Sequence, residues 1–216
     1  MRETFLIFGA PLVGEEEIGE VESSMRAGWL GTGPKVARFE ADFAAYKGVE
    51  ESRVAAVNSC TAALHLSMIA AGIGPGDEVI TTALTFCATV NAIIHAGATP
   101  VLADINPQTM NVEPDEIEKR ITPRTRAILP VHFAGRCCDM DAIMDIARRH
   151  DLKVIEDCAH AIESEYKNTK AGTFGDFGCF SFYVTKNVMT GEGGMVLAHK
   201  EEDIARVKIL ALHGMT

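Results

Sequence analysis

The stretch Gly178-Cys179-Phe180-Ser181-Phe182-Tyr183-Val184-Thr185-Lys186-Asn187, followed by Gly191-Glu192-Gly193-Gly194, is where the fold of this chain can first be read. An apolar, strand-like run ends in a single lysine, and the glycines beyond it let other groups approach the backbone closely. A lysine at a strand end can be partly desolvated, which frees its amine to attack a carbonyl. Upstream, Lys153-Val154-Ile155-Glu156-Asp157-Cys158-Ala159-His160 reads as an apolar strand that ends on an acid. A lysine able to condense with a carbonyl and an acid able to face a pyridinium nitrogen are the pair that pyridoxal 5′-phosphate (PLP) requires.

Around these two segments the chain is one continuous α/β pattern without linker, repeat or low-complexity stretch. Residues 15–27 and 35–47 carry helical periodicity, the second opened by Pro34 at a first-turn position. Short β-rich runs follow at 54–57, 78–82, 100–104, 127–131, 153–157, 179–183 and 194–198. Helical stretches at 61–71, 87–96, 114–120 and 140–150 separate them. Strands alternating with helices predict a mostly parallel, doubly wound sheet in three layers, with ligands beyond the carboxyl ends of the strands.

Composition narrows the class further. With 216 residues, 47% of them hydrophobic and 23% charged, the chain can bury one sizeable core. A net charge of −10 and the lack of any basic block argue against a nucleic-acid surface. The apolar run at 5–13 is too short to span a membrane and is interrupted by Pro11, and Glu3 is out of place in a basic leader. No signal peptide or membrane anchor is therefore expected. The six cysteines lie mostly in apolar segments without paired metal-ligand spacing, as expected of free thiols in a reducing cytoplasm. The adjacent Cys137 and Cys138 leave a redox role open.

Gly14-Glu15-Glu16-Glu17-Ile18, Gly28-Trp29-Leu30-Gly31-Thr32-Gly33-Pro34, Asn58-Ser59-Cys60-Thr61-Ala62-Ala63-Leu64 and Pro75-Gly76-Asp77-Glu78-Val79 add to the two segments above. Together, and in this order, they resemble the DegT/DnrJ/EryC1/StrS family of sugar aminotransferases, which have the aspartate-aminotransferase fold. The resemblance runs from about residue 8 to the end of the chain. It implies an α/β large domain over 1–216 with a seven-stranded, mostly parallel sheet and an N-terminal helical segment at about 1–50. The family's C-terminal small domain would lie beyond the last residue, and so would an asparagine that reaches the partner subunit's cofactor phosphate in family dimers.

The resemblance also implies residue roles. Lys186 would bond the PLP carbonyl carbon and carry the proton during transamination. Asp157 would keep the pyridine nitrogen protonated; its alternative is capping the helix-like segment after it. Glu156, one residue earlier, should face the other side of the strand. His160 would stand near the ring hydroxyl, or be a structural histidine. Ser59, Cys60 and Thr61, at a strand-to-helix turn, would hold the phosphate with backbone N–H and hydroxyl groups, with Ser181 adding a second hydroxyl. Helix capping by Ser59 or Thr61 uses the same groups, and Cys60 stands where the family usually has glycine. Phe86 would stack on the pyridine ring or else belong to the core. Trp29 would lie near substrate at a subunit boundary, and His132 either approaches the site or is structural.

The implied reaction takes an amino group from a donor, usually glutamate, and gives it to a nucleotide-linked keto-sugar for glycan, lipopolysaccharide or antibiotic-sugar synthesis, in a cytoplasmic homodimer. Lys186 separates the chain from the dehydrating branch, which has histidine there. Two other readings stay open: a PLP-binding but catalytically weak domain with an assembly or regulatory role, and a desulfurase-like or aldolase-like enzyme of the same fold. A nucleotide-binding Rossmann protein is excluded, because Asn58-Ser59-Cys60-Thr61 supplies no glycine fingerprint after the first strand.

Overall fold

The computed structural model describes residue 5 and residues 9–215. Part of the apolar run at 5–13 (residues 6–8) therefore lies outside the described residues. Among those described, no helix is long and apolar enough to cross a membrane.

Two helices open the chain, α1 (Glu15–Ala27) and α2 (Pro34–Lys47). Pro34 begins α2, where its fixed φ suits a helix start and its missing N–H leaves nothing unpaired. Gly28 and Gly48 end the two helices in the left-handed conformation that only glycine adopts freely. Strands and helices then alternate: β1 (Val54–Val57), α3 (Cys60–Ala70), β2 (Glu78–Thr82), α4 (Cys87–His95), β3 (Thr99–Ala103), α5 (Pro114–Glu118), β4 (Thr125–Ile128), α6 (Met140–His150) and β5 (Lys153–Asp157). A hairpin of β6 (Glu165–Tyr166) and β7 (Thr169–Lys170) follows, then β8 (Phe177–Ser181), β9 (Gly194–Ala198) and α7 (Glu201–Ala211).

Seven strands form one sheet in the order β1-β9-β8-β5-β4-β2-β3. Strand β9 runs antiparallel to both neighbours, and every other pair in this sheet is parallel. Side-chain alternation divides the core between the two faces. Ala55, Val79, Ile155, Val196 and Ala198 pack with residues of α3, α4 and α7. Ile80, Ile128 and Val154 pack with α5 and α6, and Val54, Phe180, Met195 and Leu197 pack with α2. The predicted three layers and mostly parallel seven-stranded sheet are thus observed.

Three local differences stand out. Strand β4 stops at Ile128 rather than running to 131, because Pro130 has no N–H to give the ladder. Val131 still makes a parallel bridge to Asp157, and the Pro130 carbonyl accepts the Asp157 N–H at 2.9 Å. Strand β8 lies two residues earlier than expected, and Tyr183 is left outside it. The hairpin β6–β7 and α7 are not among the elements predicted from periodicity. The hairpin turns on Lys167 and Asn168, both at positive φ, and α7 buries only Ile204 and Val207.

Helix α2 carries a buried lysine beneath the sheet. Lys47 Nζ donates to the carbonyls of Ile162 (2.8 Å) and Ala171 (3.0 Å) and lies 4.3 Å from the centre of the Phe180 ring. Burial pushes its pKa down to about 8, although nearby Cys158 and Glu156 favour the charge. Between pH 8 and 10.5 the unfolded chain keeps a proton that the native one has released, so this group's contribution to stability rises with pH across that window. Cys60, Cys138, Cys158 and Cys179 act oppositely above about pH 9, since burial raises their thiols and the unfolded state loses those protons first. In urea titrations the stability difference between the unsubstituted chain and Lys47→Met should therefore grow by on the order of 3 kcal/mol from pH 8 to 10.5. A pH-independent difference would contradict the assignment.

Candidate active site

Parallel strands bring their carboxyl ends to one edge, and antiparallel β9 brings its first residue there. The edge opens into a cleft of about 590 Å³. Ser59, Cys60, Thr61, Phe86, Asp157, His160, Ser181 and Lys186 all line it, although they come from the ends of β5 and β8, the loops after β1, β2, β5 and β8, and the start of α3. Trp29 does not line the cleft; it is 59% exposed, and its Nε1 donates to the Thr32 carbonyl at 3.0 Å.

The last two residues of β5 face opposite ways. Asp157 is buried at the cleft floor, where Oδ2 accepts from the Thr89 hydroxyl at 2.7 Å and Oδ1 from the Ala159 N–H at 3.1 Å. Glu156 is fully buried beneath the sheet. Its Oε1 accepts from the N–H groups of Phe174 (2.9 Å) and Gly175 (2.8 Å), and its Oε2 from that of Gly172 (2.8 Å). The fourth partner is His132 Nε2, at 2.9 Å. His132 Nδ1 accepts the Cys138 N–H at 3.1 Å, so the ring proton sits on Nε2 and is donated to Glu156. His132 borders the cleft, but both its nitrogens are engaged, which favours the structural reading.

His132, Glu156 and Cys158 place potential ligand atoms within 4.8 Å of one another. The hydrogen bonds just described already occupy the histidine and the carboxylate. Cys138 is buried and directs its Sγ to the Val131 carbonyl at 3.2 Å, and burial raises both the Cys137 and Cys138 thiols. That environment disfavours the thiolate a redox pair would need.

Lys186 sits in a loop closed at its base by bonds from the Phe182 N–H to the Gly193 carbonyl and from the Thr190 N–H to the Phe182 carbonyl, each 2.9 Å. Phe182 is buried under the loop and meets Phe39 of α2 edge-on at 4.9 Å, so the α2 layer supports it. At the mouth, His160 is exposed; the desolvation it does meet, and then the Lys186 charge, push its imidazole below the usual value. The shift favours the neutral imidazole, which has one N–H to donate. Phe86 heads α4 and is 77% exposed, so it is not the core residue that was its alternative reading.

The turn between β1 and α3 presents a helix N-terminus to the cleft. Ser59 caps α3, its Oγ accepting from the Ala62 N–H at 3.1 Å. An α-helix leaves its first N–H groups without intrahelical acceptors, and Cys60 and Thr61, the first two residues of α3, line the cleft. Gly194 of β9 lies against this turn: a Cβ there would stand 2.5 Å from the Ser59 carbonyl oxygen and 2.7 Å from the Cys60 nitrogen. An anion cradle, a lysine loop and a buried carboxylate thus meet in one cleft, and together they suit a phosphorylated aldehyde with a basic ring nitrogen. Thr85 and Thr89 also border the cleft without having been singled out beforehand; their i, i+4 spacing across the start of α4 was the available signal.

This sheet order and edge are those of PLP-dependent aminotransferase structures. The chain matches the DegT/DnrJ/EryC1/StrS aminotransferase family over residues 11–216, and it belongs to that family. It is 54% identical over 215 residues to the spore coat polysaccharide biosynthesis protein SpsC of Bacillus subtilis, covering 100% of this chain and 55% of that protein. Against the GDP-perosamine synthase of Caulobacter vibrioides it is 44% identical over 207 residues, covering 95% of this chain and 55% of the synthase. The PLP form of Spr1654 from Streptococcus pneumoniae, which is also solved in a PMP form, superposes with a TM-score of 0.93 at 36% identity. That match covers 98% of this chain and 59% of Spr1654. The chain therefore spans about half the length of the curated relatives it matches.

Two substitutions check this geometry. Glu156→Gln turns an acceptor facing four donors into a group that must itself donate, and should lower unfolding stability by about 3 kcal/mol in urea titrations. A loss within experimental error would show the network to be dispensable. Gly194→Ala should displace the Ser59–Cys60 turn and weaken PLP binding about tenfold or more, a strain of 1–3 kcal/mol placed on the anion cradle. Unaltered affinity in a PLP titration would mean that the turn is not the phosphate site.

Proposed function

We propose that the chain forms the cofactor-binding part of a sugar aminotransferase, which moves an amino group from an amino-acid donor, glutamate, to a nucleotide-linked keto-sugar. The observation that carries the reading is the convergence of Lys186, Asp157 and the α3 N-terminus on one cleft. The GDP-perosamine synthase and the spore coat polysaccharide protein among its relatives support a nucleotide-sugar acceptor in glycan synthesis.

When bound, PLP supplies an electron sink for the carbon whose bonds change. The chain's own groups divide the remaining work. Lys186 Nζ anchors the cofactor and, once freed by the donor, takes and returns the proton at the reacting carbon. The Asp157 carboxylate keeps a proton on the ring nitrogen. His160 would donate an N–H to the ring hydroxyl, and Phe86 would cover the ring. The N–H groups of Cys60 and Thr61, with the hydroxyls of Ser59, Thr61 and Ser181, hold the phosphate.

A homodimer belongs to this reading. Among the described residues helix α1 buries none of its own side chains, and it presents Ile18, Val21 and Met25 along one stripe, as a surface meant for a second copy would. A cytoplasmic setting is supported by six free thiols.

The test is the visible absorbance of the protein with PLP, before and after glutamate, followed by borohydride trapping and peptide mass spectrometry. A band that glutamate converts, with the trapped mass on Lys186, is expected. Lys186→Ala should lose the trapped adduct and slow the glutamate step about 100- to 10,000-fold. Trapping at another lysine would sink the assignment of Lys186, and a band indifferent to glutamate would sink the choice of donor.

A further inference from the structure

We infer that Thr89, backed by Thr85, is a positioning residue that sets the Asp157 carboxylate for the cofactor ring; the inference rests on the cofactor reading of the same cleft. Thr89 is fully buried on the first turn of α4, and its Oγ1 lies 2.7 Å from Asp157 Oδ2 and 2.7 Å from Thr85 Oγ1. A hydroxyl has one proton to give, and an ionised carboxylate can only accept. Thr89 therefore donates to Asp157, and Thr85 must donate to Thr89. The two hydroxyls form a chain polarised toward the carboxylate, and Thr85, which borders the cleft, is its outer end.

This chain supplies a constraint that the rest of the site leaves open. The Asp157 backbone is already held, its N–H by the Pro130 carbonyl at 2.9 Å and its carbonyl by the His132 N–H at 3.1 Å. The Ala159 N–H reaches Oδ1 from within the same segment, so it moves with Asp157. Thr89 is the donor that comes from a different element, and it fixes the carboxylate relative to α4. Thr85 immediately precedes Phe86, and the Thr89 N–H donates to the Phe86 carbonyl at 3.1 Å. The groups placed against the ring edge (Asp157) and the ring face (Phe86) are thereby tied to each other.

The decisive comparison is Thr89→Val, which keeps the β-branched shape without the hydroxyl, against Thr89→Ser, which keeps the hydroxyl. The readouts are PLP affinity, the pH midpoint of the bound cofactor's visible band, and the rate of the glutamate step. Thr89→Val should weaken PLP about tenfold, as expected for losing a hydrogen bond to a charged group. It should also displace the pH midpoint by about half a unit or more, which loosened packing alone would not do. Thr89→Ser should restore both to near the unsubstituted values. In an Asp157→Asn background Thr89→Val should add less than about twofold, because its effect passes through the carboxylate. Should Thr89→Val fold poorly, Thr85→Val, at a half-exposed position, must still shift the midpoint in the same direction by a smaller amount. Unmoved midpoints in both valine variants, or a full effect of Thr89→Val with Asp157 already replaced, would overturn the inference while leaving the cofactor reading intact. An unsubstituted chain that takes up no PLP would overturn both.

Discussion

A carboxylate buried where water cannot reach it is tolerable only when every lone pair is used, and Glu156 meets that condition on the underside of β5. Three backbone N–H groups of 172–175 and one histidine proton converge on it. Slipping β5 by one residue would turn this charge onto the opposite face, toward the α3 and α4 side, and turn Asp157 away from the cleft. The network thus sets the register at the point where register decides function. It also fixes the backbone of 172–175, where Gly172 adopts a φ of 84° and no other residue would sit easily. The strand that follows, β8, leads directly to the Lys186 loop. A structural acid and a candidate catalytic acid are therefore adjacent for a reason: one holds the strand so that the other can be presented.

The opposite side of the cleft depends on a close approach instead of a charge. Strand β9 enters the sheet antiparallel between β1 and β8, with Gly194 opposite Val57 and Ser181. The missing side chain lets the Ser59–Cys60 turn settle onto it. The glycines after Lys186 so acquire a specific use. They close the lysine loop at its base and bring the anion cradle down beside it. The aromatic layer of Phe39, Phe43, Phe180 and Phe182 under this region supplies the rigidity a loop of that length lacks by itself.

The parts of this arrangement that were legible in the sequence are those with local signals. Seven apolar runs between helical stretches predicted the sheet, and Lys186, Asp157 and the Ser59–Thr61 turn lie at the ends of such runs, where alternating folds put ligands. Features decided by distant partners were not legible. The four donors of Glu156 come from 132 and 172–175, and no local pattern announces that they meet. Pro130 shortens β4 while leaving it extended, which an apolar count cannot distinguish from a strand. Helix α7 buries so few residues that its periodicity is faint. The stacking role of Phe86 had a core role as its alternative, and only its exposure decides against the core.

Thr85 and Thr89 belong to the same group of hidden features, and their case shows why. Threonine near a helix start is ordinarily a cap or a solvent-facing polar residue, and both readings are local. Here α4 packs on the sheet so that the first-turn face carrying Thr89 points at the end of β5, two strands away from β2, which leads into α4. Only the strand order β5-β4-β2 brings that helix start over Asp157. The hydroxyl is then buried, and a buried hydroxyl must find an acceptor. The acceptor within reach is the acid of the candidate site. Topology thus converts an unremarkable residue into one with a single available partner, and through that partner the packing of a helix bears on the carboxylate that faces the ring.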